Sequence, residues 1–284
     1  MEVFHKASLL IQHIAEKKAQ GQQIGFVPTM GALHEGHLSL IRASKAENTV
    51  TVASIYVNPT QFDNKSDLAR YPRTLGSDCE LLEKEGCDVV FAPSDEEMYP
   101  NKQGNVVISM HFGALEQVME GKYRKGHFSG VGLVVSKLFH IVQPHRAYFG
   151  QKDLQQFAII KQLVDDLSFN VQLKRCPIIR EQDGLAMSSR NRLLSDRERF
   201  VASKLHESLT LAKQMLIKGV SLNEVKDAAI AEICKHKDFK IEYLEVVDAD
   251  TLQAINDSDE RKEVAICVAA HLGSVRLIDN MIIH

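Results

Sequence analysis

The chain has 284 residues, enough for a large core and about two domains. It is 44% hydrophobic and 25% charged, as ordinary soluble globular proteins are, and its formal net charge of −3 argues against a general nucleic-acid surface or an anionic membrane partner. No run of 18 or more apolar residues occurs and the N-terminus lacks a signal-peptide core, so a cytoplasmic protein is expected. The five cysteines (Cys79, Cys87, Cys176, Cys234, Cys267) are odd in number and show no C-x-x-C spacing, which disfavours a disulfide framework or a zinc site.

The first diagnostic segment is Ile24 to Val27, an apolar run that reads as a buried strand. It breaks at Pro28, passes Gly31, and delivers His34, Gly36 and His37 to a helix expected over about His37–Lys45. Such a turn directs free backbone N–H groups and the positive helix end at one spot, which suits a phosphate. Two imidazoles add donors that are neutral or cationic near neutral pH. Gly31 and Gly36 have the spacing of a P-loop, but His37 and Leu38 stand where Lys and Ser/Thr are needed. The histidines are three apart, not four as in H-E-x-x-H. The plainer alternative is two unrelated surface histidines at a helix start.

Val50–Val57 follows as a strand covered on both faces. Its end, Asn58-Pro59-Thr60-Gln61-Phe62, offers the amides of Asn58 and Gln61 to a carboxylate or hydroxyl, or is an ordinary polar turn. A helix at Leu75–Glu85 is ended by Gly86, and strands are expected at Asp88–Ala92 and Asn105–Met110. Then come a helix at Val131–Val142, a strand at Ala147–Phe149, a helix at Leu154–Leu167 and a last strand at Val171–Arg175. Alternation of this kind predicts a mostly parallel α/β sheet whose ligands bind beyond the carboxyl ends of the strands. There Gly150 permits close approach to the backbone, Lys152 is placed to meet a phosphate and Asp153 occupies an N-cap. Gln155 and Gln156 lie in the first helical turn. A surface lysine beside a capping aspartate is the alternative.

Asp183-Gly184 signals a turn, after which the pattern changes. Helices at Asp196–Lys218 and Leu222–Lys235 and β-like runs at Ile241–Val247, Glu263–Val268 and Ser274–Leu277 predict a smaller α+β domain. The boundary falls between Arg180 and Ser195, giving domains of residues 1–185 and 186–284. Near it, Met187-Ser188-Ser189-Arg190 offers two hydroxyls and a guanidinium to a polyphosphate, or is a polar hinge. Ser129, in Gly126-His127-Phe128-Ser129-Gly130, is not in a G-x-S-x-G elbow, and Gly130-Val131-Gly132 lacks the dinucleotide fingerprint.

Together these segments resemble the pantothenate synthetase (pantoate–β-alanine ligase) family. The likeness is carried by Phe26 through His37, Ser54 through Phe62, Tyr71-Pro72-Arg73-Thr74, Gly126-His127-Phe128, Lys137-Leu138-Phe139, Gln143-Pro144, Phe149 through Asp153, and Asp183 through Asn191. It spans most of the N-terminal two thirds. One departure is Lys125 in Arg124-Lys125-Gly126-His127, where the family usually has proline.

The resemblance implies a Rossmann-like fold of the HxGH nucleotidyltransferase type, a C-terminal lid, ATP and Mg²⁺ as co-substrates, pantoate and β-alanine as substrates, and a homodimer. It implies a nucleotide site made of Met30, Gly31, Ala32, Leu33, His34, Glu35, Gly36, His37, Gly150, Gln151, Lys152, Asp153, Ile179, Met187, Ser188, Ser189 and Arg190. Within it His34 and His37 would contact the phosphates and Lys152 the α-phosphate. Gly150 and Asp153 would hold the ribose side and Ile179 the adenine side. Pantoate would meet Asn58, Gln61 and Gln156, with Met30 against its methyl groups. Mg²⁺ would ride mainly on phosphate oxygens, for want of a carboxylate cage. The rival functions are another HxGH nucleotidyltransferase and a non-catalytic nucleotide-binding regulator.

Overall fold

The computed structural model describes residues 1–100, 108–256 and 263–283. Six strands form a parallel sheet: β1 (Glu2–Phe4), β2 (Ile24–Thr29), β3 (Val50–Ile55), β4 (Val89–Phe91), β5 (Arg146–Gly150) and β6 (Gln172–Cys176). Their spatial order is β1-β4-β3-β2-β5-β6. The order reverses between β2 and β5, and that switch point is where a doubly wound sheet opens a crevice at its carboxyl edge.

The side chains of β2 alternate across the sheet. Ile24 and Phe26 point to the layer built by α1 (Ala7–Ala19), α7 (His127–Val142) and α8 (Leu154–Asp166), where Leu10, Ile14, Val134, Leu138, Ile160 and Leu163 close the main core. Val27 points to the other face. There it meets Leu40 and Ile41 of α2 (Glu35–Glu47) and Leu82 of α4 (Leu75–Lys84). Between these lie the short helices α3 (Lys65–Arg70), α5 (Asp95–Met98) and α6 (Met119–Tyr123).

The rest of the chain forms α9 (Asp196–Ala202), α10 (Lys204–Ile217), α11 (Leu222–Cys234) and an antiparallel sheet of β7 (Phe239–Asp248), β8 (Val264–Leu272) and β9 (Val275–Ile283). Helices α10 and α11 cover one face of it, with Leu209, Val225 and Ile233 against Leu244, Ile266 and Val268. The other face rests on the first sheet's helices, where Tyr243, Ala265 and Cys267 meet Met119, Leu154 and Ala158.

Several expectations need correction. Strand β2 does not break at Pro28 but runs to Thr29. The carbonyls of Gln23 and Thr29 accept from β3-side amides, whereas that of Ile24 accepts from His145 before β5. Even-numbered positions of β2 therefore face β5, and so does the donor that Pro28 lacks. Pairing with β5 ends at Phe26, and Pro28 has no donor with which to extend it, while pairing with β3 runs on to Thr29. The helix expected over Asp196–Lys218 is two helices separated by one turn residue, Ser203. The strand expected over Asn105–Met110 lies partly outside the described residues, and its described end, 108–110, is not a strand. Strand β1 and helix α1 come in addition to the expected elements. No described helix is long and apolar enough to cross a membrane.

Candidate active site

The loops that end β2 and β5 meet in one cleft. Its walls include Met30 and His34 from the first loop with Gly36 and His37 from the start of α2, and Gly150, Lys152 and Asp153 from the second with Gln156 from the first turn of α8. Asn58, Gln61 and Ile179 line it too, and Met187, Ser188, Ser189 and Arg190 stand opposite. Five residues of the expected site are not in its lining. Gly31 is buried, and Ala32 and Leu33 are enclosed behind the wall. Glu35 turns out to pair with Arg42, and Gln151 turns to Asn280.

The first loop differs from the expected array of free amides. Buried Asp78, in the first turn of α4, accepts from Ala32 N (2.9 Å), Leu33 N (2.8 Å) and the Thr74 hydroxyl (3.1 Å). Gly31 and Ala32 both take positive φ, +81° and +50°, to present those amides to it. The Gly31 amide goes to the Thr29 hydroxyl. The amide of Gly36 goes to His34 Nδ1 (3.1 Å), and that of His37 to the His34 carbonyl (2.8 Å). The amides of Gly31, Ala32, Leu33, Gly36 and His37 are thus occupied, and the imidazoles of His34 and His37 line the cleft. Gly36 is needed for this packing, because a Cβ there would lie 2.9 Å from the His34 ring.

The two rings sit 4.1 Å apart. Burial, then the charge on Lys152, brings His37 down to about 4. Burial, then His37 and Lys152, brings His34 down to about 3. Both are neutral at pH 7, which narrows the expectation of rings that could be either. The Nδ1 of neutral His34 accepts from Gly36, so its proton is on Nε2. The Nδ1 of His37 is enclosed and makes no hydrogen bond among the described residues.

The second loop is a short turn, Gln151–Asp153, before α8. Asp153 occupies the N-cap position of α8 but makes no capping hydrogen bond. A Cβ on Gly150 would meet open space, so its small size serves no neighbour within the protein.

Residues 180–186 form a hairpin closed by the Arg180–Ala186 bridge, with Gly184 at φ +91° in the expected Asp183-Gly184 turn. It delivers Met187 through Arg190 to the cleft mouth. The Ser189 hydroxyl donates to the Ala32 carbonyl (2.9 Å) and Arg192 to that of Leu33 (3.1 Å). Arg190 pairs with Asp67 (3.0 Å) and lies over the Tyr71 ring.

The same cleft is also lined by the apolar side chains of Leu40, Val131, Val134, Val135, Leu138 and Phe149. Gln61 lines it as well and donates to Met30 Sδ (3.1 Å). Asn58 lines the cleft, but its amide is taken up within the protein, donating to Gln61 Oε1 and the Gly130 carbonyl and accepting from Thr60 and Tyr99. Gly130 lets α7 approach this loop, since a Cβ would meet the Thr60 carbonyl at 2.3 Å. His127 holds the same loop from below through Nδ1–H to the Gln61 carbonyl (2.8 Å), while Arg124 donates to its Nε2 (3.1 Å). Burial, then Arg124, brings His127 to about 4. Arg124 meets Glu120, which binds Arg276 through both oxygens (2.8 and 2.7 Å) and accepts from Tyr243. Burial would raise Glu120, but Arg276 brings it down to about 2. Sequence reasoning missed Asp78, Glu120 and His127 as site-building residues. An acidic residue in the first turn of α4 reads as a simple dipole complement, and only the long-range contact shows otherwise.

Residues 2–282 match the family model described as pantoate-beta-alanine ligase. The chain belongs to this family. A pantothenate synthetase of Caldicellulosiruptor bescii is 51% identical over 275 residues, 96% of each chain. The crystal structure of pantothenate synthetase from Thermus thermophilus superposes with a TM-score of 0.92 at 40% identity, covering 99% of both chains. A Francisella tularensis pantoate-beta-alanine ligase, solved with beta-gamma ATP and beta-alanine, superposes at 0.82 with 36% identity, covering 99% of this chain and 97% of its own. The likeness to this ligase family covers the whole cleft and the second sheet alike.

Proposed function

We infer that the cleft condenses pantoate with β-alanine at the expense of ATP, as an enzyme of the pantoate–β-alanine ligase family. The observation that carries this reading is convergence. Two neutral imidazoles and a lysine, from the ends of β2 and β5 at the switch point, line one cleft together with a glutamine and a set of apolar side chains. One half suits a polyphosphate and the other a branched hydroxy acid.

The first step joins a pantoate carboxylate oxygen to the α-phosphorus of ATP and breaks its bond to the bridging oxygen, releasing pyrophosphate. In the second, the β-alanine amine attacks the acyl carbon of pantoyl adenylate. AMP leaves and the amine's proton is released. His34 and His37 donate to phosphate oxygens, and Lys152 meets charge developing at the α-phosphate. Donors fixed before the reaction act where charge develops, with no reorganisation at that moment. Holding carboxylate and phosphorus in near-attack geometry supplies up to about 7–11 kcal/mol in well-oriented models. Gly150 and Asp153 hold the ribose side and Ile179 the adenine. Met187 through Arg190 close over the triphosphate. Gln61 and Gln156 bind pantoate, Met30 packs on its methyl groups, and Asn58 serves by fixing Gln61.

Among the described residues no group of three or more His, Cys, Asp or Glu could hold a metal ion. Mg²⁺ fits this chain as a partner of phosphate oxygens, offsetting their charge. We place the enzyme in the cytoplasm as a homodimer, following the family resemblance, and assign residues 186–284 to a lid domain. Their separate apolar core supports the division, and Leu185 already packs in it.

One assay tests the reading. With ATP and pantoate alone, pyrophosphate should form; adding β-alanine should release AMP and pantothenate. Pyrophosphate release that ignores pantoate, or an adenylylated end product, would overturn it.

A further inference from the structure

We propose that Asn280, in the last strand of the chain, is a positioning residue for Lys152. The inference rests on the role given to Lys152 above. Asn280 is buried, 3% exposed, and belongs to β9 of the second sheet. Its side-chain Nδ2 donates to two successive carbonyls of the β5 loop, Gln151 O (3.0 Å) and Lys152 O (2.9 Å). Its Oδ1 accepts from Gln151 Nε2 (3.2 Å).

Those two carbonyls belong to the two peptide planes that flank the Lys152 Cα. The backbone at Lys152 has only two soft rotations, one toward each plane. A single NH₂ group bonded to both carbonyls restrains both rotations together. The long flexible stem of the lysine then starts from a fixed Cα–Cβ direction. This matters for lysine more than for most residues, because its ammonium is a point charge on a four-carbon stem with little orientation of its own.

The neighbouring residue shows that the strand is itself fixed. Asp279 is buried and binds Arg180 through both oxygens (2.6 and 3.0 Å), while Arg180 also donates to the Gly184 carbonyl. Arg180 opens the hairpin that leads to Met187 through Arg190. One dipeptide of β9 thereby ties down both loops that flank the nucleotide half of the cleft. The register is secured on the strand's inner side by continuous pairing with β8, Asp279 with Val268 and Asn280 with Cys267.

The test is a double-mutant cycle on the full chain, reading pantoate-dependent pyrophosphate formation, with Tm measured for each variant. Asn280→Ala should lower kcat about 10- to 100-fold, the scale of a displacement near 1 Å, and move the KM for pantoate less than threefold. In the Lys152→Ala background the same change should cost less than about threefold, because there is no ammonium left to misplace. Asn280→Ser, too short to span both carbonyls, should behave like the alanine variant. The proposal is overturned if Asn280→Ala keeps kcat within twofold of the parent. It is overturned equally if its loss is as large without Lys152, or if both Asn280 variants fail to fold, since each outcome assigns the residue to general structure. If instead Lys152→Ala alone leaves pyrophosphate formation unchanged, the role given to Lys152 fails, and this inference with it.

Discussion

The loops that follow β2 and β5 lie side by side at the switch point, yet they are held and charged in different ways. The first is anchored from within its own layer, by the Asp78 carboxylate on the amides of Ala32 and Leu33. It presents imidazoles that burial keeps neutral. The second is anchored from the far sheet, by Asn280 on two carbonyls, and presents a lysine. A carboxylate holds donors and an amide NH₂ holds acceptors, so each anchor matches the backbone groups its loop leaves over. The pairing also explains the electrostatics. The lysine charge helps to hold both histidines deprotonated.

If the two loops serve one phosphate chain, removing either functional head should be severe. His37→Ala should cut adenylation about 10²–10³-fold, the range for losing one transition-state donor. Lys152→Ala should lower kcat of the pyrophosphate-forming step rather than raise the KM for β-alanine. Stopped-flow pyrophosphate release reads both, and near-normal turnover of either variant breaks the symmetry of the comparison.

The anchors should separate more clearly. Asp78→Ala strands two buried amides and a hydroxyl, at about 1–3 kcal/mol each. Urea unfolding should show a loss of at least about 3 kcal/mol, and a loss below about 1 kcal/mol would deny the anchor its role. Asp78→Asn, which keeps one acceptor oxygen, should lie between the two.

Protonation sharpens the contrast further. His34, His37 and His127 are depressed to about 3, 4 and 4 in the native chain, against an ordinary value near 6.5 unfolded. Between pH 6.5 and 4 the unfolded chain therefore binds more protons than the native one. The stability these rings contribute is complete above pH 6.5 and is lost as pH falls toward 4, by up to about 1.4 kcal/mol per pH unit for each ring. A triphosphate should raise the two cleft imidazoles, so ATP binding at about pH 4.5, just above the value of free His37, should take up protons. Calorimetry in buffers of different ionisation enthalpy measures this, and zero uptake would contradict contact with the phosphates.

The smallest effect belongs to the acid side. Gln61→Ala removes neutral hydrogen bonds worth about 0.5–1.5 kcal/mol. It should weaken pantoate roughly 3- to 10-fold and leave ATP nearly unchanged, by titration of each ligand.

What the sequence disclosed was local. Apolar runs at 24–27, 50–57 and 147–149, each followed by a polar loop and a helix, were enough to predict the parallel sheet and the residues at its carboxyl edge. His34, His37, Lys152 and Gln61 do reach one cleft. What it hid was long-range. Asp78 is 46 residues from the amide of Ala32, and Asn280 is 128 from the Lys152 carbonyl. A polar residue inside a helix or strand carries no local mark of a partner so distant. Strand β1 was missed because three residues pairing at a sheet edge show no periodicity. The free-amide nest was overread for the same reason, since nothing near residues 31–33 announces the carboxylate that occupies it.

Pro28 has a last consequence. Two parallel strands that have begun to zip tend to continue, because each further rung satisfies a donor and an acceptor. At Pro28 the rung facing β5 has no hydrogen to offer, and the zip stops two residues before it, at Phe26. The fork between β2 and β5 is therefore written into covalent structure. It stands open by itself, and none of a ligand's binding energy is diverted into prising the strands apart.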